Sequence, residues 1–80
     1  MPSDVELSVV VPVLNGAGFI ARTVHDLAAF LQRERRASEI VVVDDGSTDG
    51  TEGLAADAAA ASPVPVTVLR HDRTRGKGAA

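Results

Sequence analysis

Three short runs rich in β-branched residues constrain this chain most: Leu7 to Leu14, Glu39 to Val43 and Val64 to Leu69. They are nearly continuous rather than alternating. Such runs read as strands buried on both faces, the mark of a parallel sheet. Parallel strands need crossovers, and each gap is long enough to hold a helix. In the first gap Ile20, Val24, Leu27, Ala28 and Leu31 recur at helical spacing and make one apolar face. Arg22, His25 and Asp26 fall mostly elsewhere, and the Arg33–Arg36 segment puts positive charge at the helix end. In the second gap Thr51 to Ala61 is alanine-rich. Ser47 and Thr48 are its candidate N-caps, Asp49 and Glu52 charge its start, and Ser62-Pro63 ends it. The expectation is an α/β chain ordered β-α-β-α-β, with a parallel sheet of strand order 3-2-1.

Eighty residues allow one small domain at most. There is no cysteine, so no disulfide or thiolate site, and export is not suggested. The longest apolar run, Val9 to Leu14, falls far short of the roughly 20 residues a membrane span needs. Asp4 and Glu6 stand where a signal peptide would be basic, so the expected location is cytoplasmic. Only two aromatics, Phe19 and Phe30, and a net charge of −3 argue against nucleic-acid binding. Gly76-Lys77-Gly78-Ala79-Ala80 reads as the opening of a third helix. The first strand would keep a bare edge, an aggregation hazard, so residues 1–80 are expected to be an incomplete α/β domain.

Ligands of open α/β sheets bind beyond the carboxyl ends of the strands. Three segments should converge there: Pro12-Val13-Leu14-Asn15-Gly16, Asp44-Asp45-Gly46-Ser47, and Arg70 to Gly78. The last carries Arg70, Arg73, Arg75 and Lys77 and suits a diphosphate. The acidic pair suits ribose hydroxyls, a base N–H or a metal-bound phosphate. Together they describe a nucleotide site. Each piece also has a plain reading: a turn with a helix cap, a solvated basic loop, and an Asn-Gly turn. His25 and His71 have no metal-ligand partners at useful spacing and read as packing or surface residues. Ser47 has no evident base and no nucleophile elbow. A rival motif is Gly16-Ala17-Gly18-Phe19-Ile20-Ala21, which fits G-x-G-x-x-A ahead of a helix, with Asp44 or Asp45 at the next strand end. It supports an alternative, the dinucleotide-binding half-domain of an NAD(P)-dependent oxidoreductase. An inactive remnant is a further alternative.

The stretches Leu7-Ser8-Val9-Val10-Val11-Pro12-Val13-Leu14-Asn15, Val41 to Thr51 and Arg75-Gly76-Lys77-Gly78-Ala79-Ala80 resemble the N-terminal part of family 2 glycosyltransferases of the GT-A fold. Within that family they are similar to the dolichyl- and polyprenyl-phosphate mannose and glucose synthases. The resemblance implies a truncated, Rossmann-like half of a GT-A fold. It implies that Pro12, Val13 and Asn15 belong to the nucleotide site, Pro12 and Asn15 shaping the base pocket. Asp45 would face the base or ribose with Asp44 supporting it, and Lys77, with Arg75, would lie near the phosphates or order the next helix. Leu14 stands where an aromatic is common, Gly16 where an acid is common, and Thr74 where Asn is frequent. The implied reaction is inverting transfer of a hexose from a UDP- or GDP-sugar to a polyprenyl phosphate, with Mg2+ or Mn2+. No Asp-x-Asp metal motif occurs, and no residue is assigned as metal ligand or catalytic base. The 80-residue chain alone is therefore expected to be inactive. The resemblance also admits a place on the inner face of the membrane.

Overall fold

The computed structural model describes residues 5–34 and 36–71. The elements run β1 (Leu7–Val13), α1 (Ile20–Gln32), β2 (Ser38–Asp44), α2 (Thr51–Ala60) and β3 (Val66–Arg70). The sheet has three parallel strands in the order β1-β2-β3, as expected. β3 starts and ends later than its valine run, because Pro65 precedes the ladder and Arg70 still pairs with Asp44. α1 buries Ile20, Val24, Ala28 and Leu31, the stripe its spacing predicts. The basic segment begins only at the cap, Arg33, so the last turn of α1 carries no positive charge.

One expectation changes. The strands are not covered on both faces among the described residues. Two crossovers of the same hand, stepping the same way across the sheet, place both helices on one face. Val13, Ile40 and Val42 are buried there with the α1 stripe and Ala55 of α2, and Val9, Val11, Val66 and Val68 pack against them. On the opposite face Val10 is 58% exposed and Leu69 50%. The run is continuous in apolar residues, yet its burial alternates along β1 and β2. Among the described residues, α1 and α2 cover one face and leave the other open.

Candidate functional site

β1, β2 and β3 end at one edge of the sheet: Val13 pairs with Asp44, and Asp44 with Arg70. The loops after β1 and β2 are sewn together there. Asn15 N–H donates to Ser47 Oγ at 2.8 Å, Gly16 N–H to Thr51 Oγ1 at 2.9 Å, and Ala17 N–H to Asp49 Oδ2 at 3.1 Å. Thr48 N–H donates back to Asn15 Oδ1 at 3.0 Å. Asp45 N–H adds a bond to the Val13 carbonyl at 2.9 Å. The tight path uses left-handed backbone at Asn15 (φ 53°), Gly46 (86°) and Gly50 (90°). Asn tolerates that region and glycine has no Cβ to clash in it.

This stitching corrects the expected helix cap. Gly50 precedes α2, and no side chain caps it. Ser47 and Thr48 instead bind the β1–α1 loop. Asp49 Oδ1 accepts the Thr51 N–H at 3.1 Å and also the Thr51 hydroxyl, an Asx-type turn into the helix. Thr51 is fully buried, so its oxygen links two segments at once, donating to Asp49 and accepting from Gly16. The Thr51 hydroxyl holds the Asp49 carboxyl below the ordinary aspartate range, and the Ala17 and Thr51 amides act in the same direction. Sequence reasoning missed this role for Ser47, Asp49 and Thr51. The available signal was their short polar side chains, which bind nearby backbone in preference to extending a helix.

The two acids differ sharply. Asp44 is fully buried. Its Oδ1 accepts Ser47 N–H at 2.9 Å, and its Oδ2 faces Arg70 Nη1 at 3.5 Å. Arg70 also donates from Nη2 to the Ser47 carbonyl at 3.0 Å and lies 3.4 Å from Glu52. Asp44 thus supports the loop from inside. Asp45 is only partly buried, and its Oδ1 stands 3.1 Å from Nδ1 of an exposed His71.

Of the residues singled out, Asn15, Asp44 and Asp45 meet at this edge. Val13 turns its side chain into the core, 6% exposed, and its carbonyl is engaged by Asp45. Pro12 is exposed, one residue away on the alternating strand and so on the opposite face. Lys77, with Arg73 and Arg75, lies outside the described residues.

The dinucleotide motif does not hold up. The Gly16 and Ala17 amides that would face a diphosphate are engaged by Thr51 and Asp49. Gly16 is required for packing, since an added Cβ would lie 2.5 Å from Val13 Cγ2 and 2.7 Å from Phe19 Cζ. At Gly18 an added Cβ meets nothing within 4 Å, so no close approach demands glycine there.

A divalent cation also finds no cradle among the described residues. No group of three or more His, Asp or Glu comes together, and both Asp44 oxygens are directed at protein donors. An apolar-sided cavity of about 370 Å³ lies at the other end of the sheet, lined by Leu31, Ser38, Pro63 and Val64 among others. It is far from the convergent loops. No helix among the described residues is long and apolar enough to cross a membrane.

The family model described as Glycosyl transferase family 2 matches residues 8–80. A dolichyl-phosphate beta-glucosyltransferase of Trichomonas vaginalis is 37% identical over 86 residues, covering 99% of this chain. No solved structure gives a significant match. The chain belongs to glycosyl transferase family 2. It spans 25% of the length of that curated relative.

Proposed function

We propose that residues 1–80 form the nucleotide-sugar-binding segment of an inverting glycosyltransferase. The donor is a UDP- or GDP-hexose and the acceptor a polyprenyl phosphate, in keeping with the relative named for dolichyl phosphate and glucosyl transfer. The observation that carries the reading is the sheet edge itself. A rigid web of side chain to backbone bonds ties two loops together and leaves Asp45 partly exposed between the ends of β1 and β3. A carboxylate held there can accept N–H or O–H donors of a base or ribose. Asn15 and Pro12 shape the neighbouring surface, Val13 and Asp44 hold it in place, and Lys77, outside the described residues, is the residue proposed to meet the phosphates. The Mg2+ or Mn2+ that neutralises a diphosphate leaving group would be held by residues other than those described.

Calorimetric titration of the chain with UDP-glucose, GDP-mannose and NAD tests this. A sugar nucleotide should bind more tightly than NAD. Asp45→Ala should weaken that binding by about 1–3 kcal/mol, the cost of losing a charged hydrogen bond. Equal affinity in the variant would remove Asp45 from the site, and preference for NAD would reject the reading.

A further inference from the structure

Two acid–base pairs follow one another across the β2–β3 junction. The inner pair is Asp44–Arg70 and the outer pair is Asp45–His71. Side chains alternate along extended backbone, so the two pairs point to opposite sides of the sheet edge. The inner pair faces the helices and is anchored by a fully buried carboxylate. The outer pair stands in solvent, with side chains 71% exposed for His71 and 43% for Asp45. Its placement is nevertheless set by the fold. His71 N–H donates to the Asp44 carbonyl at 2.7 Å, extending the ladder one residue past Arg70, and Asp45 N–H is fixed to Val13. An exposed pair of this kind contributes little to stability. Its consequence is geometric, since it restricts the rotamers of Asp45.

We propose that His71 is a positioning residue of the nucleotide site, holding the Asp45 carboxylate in the orientation that receives a nucleoside diphosphate. The inference rests on the reading of Asp45 as a nucleotide contact. Neither residue type nor spacing marks His71 in the sequence. Only the parallel register brings it against Asp45. His71 Nδ1 and Asp45 Oδ1 are in hydrogen-bond range, and the donor is the ring N–H in either the Nδ1 tautomer or the imidazolium.

The test is a double-mutant cycle read as UDP affinity by calorimetry, on the full 80-residue chain, with circular dichroism confirming that each variant melts as the parent does. His71→Ala should weaken UDP binding about three- to tenfold, the usual span for one hydrogen bond. His71→Asn should restore most of it, because its amide nitrogen reaches the place of Nδ1. In an Asp45→Asn background, His71→Ala should have no further effect. Strictly additive losses, or an unchanged affinity in His71→Ala while Asp45→Asn binds poorly, would overturn the positioning role and leave the Asp45 reading intact. Full affinity in Asp45→Asn, or no UDP binding by the parent, would overturn the Asp45 reading and this proposal with it.

Discussion

The two ends of the sheet are built from different materials. At the amino end, α1 runs out at Gln32, and Leu31, Pro63 and Val64 line a cavity of about 370 Å³ whose side-chain hydrogen bonds are local, Ser38 to Arg36 and Ser62 with Val64. At the carboxyl end, four hydrogen bonds join two loops and a buried acid holds a third segment through Arg70. Apolar packing tolerates small adjustments of shape. Directional hydrogen bonds between distant segments do not, because each needs its donor and acceptor within narrow limits of distance and angle. The ties between distant segments are therefore at the carboxyl end, where the proposed ligand would sit.

Breaking the amino end should give the largest change in stability. Leu31→Ala removes a side chain that is 2% exposed and should cost about 2–4 kcal/mol in urea unfolding. Amide NMR shifts at Asp45 to Gly50 should stay put. Movement there would mean that the two ends are coupled. Asp44→Ala comes next. Breaking a buried pair typically costs 3–5 kcal/mol, but Arg70 is 36% exposed and partly rehydrates, so about 2–3 kcal/mol is expected. Amide shifts should now change across both loops, and nucleotide affinity should fall along with stability.

Thr51→Val preserves shape and deletes the hydroxyl that Gly16 and Asp49 share. We expect a loss of about 1–2 kcal/mol and faster exchange of the Gly16 amide, which hydrogen-exchange NMR reads directly. Unaltered Gly16 protection would show that the loops are held by something else.

The smallest effect concerns acid. Asp49 has a lowered folded pKa, so its contribution is present at neutral pH and disappears as pH falls through that folded value, below the ordinary aspartate range. Asp49→Asn should therefore lower Tm at pH 7 and flatten its decline in acid, so that variant and parent converge as pH falls. A parallel decline in both proteins would remove Asp49 from the acid response.

Strand order, helix positions and the buried stripe of α1 were legible because hydrophobic period reports burial directly. So was the convergence of Asn15, Asp44 and Asp45, which follows from all three lying at strand ends of a parallel sheet. The rest depended on which donor met which acceptor. Ser47 looked like a cap and serves as a tie. Gly16 and Gly18 looked like a phosphate fingerprint, whereas Gly16 answers to Val13 and Phe19. His71 is the surface residue it looked like, and only the register shows that it stands beside Asp45.

The sequence by itself determined the α/β class, the order of its elements and the family. Those are written in the spacing of apolar residues and in a contiguous acidic signature. Tertiary structure alone decided that Asp44 is fully buried against Arg70 while Asp45 is half-buried beside His71, although the two are identical neighbours in sequence. The physical reason is alternation: successive residues at a strand end point to opposite sides, one toward Arg70 beneath the helices and one toward solvent and His71.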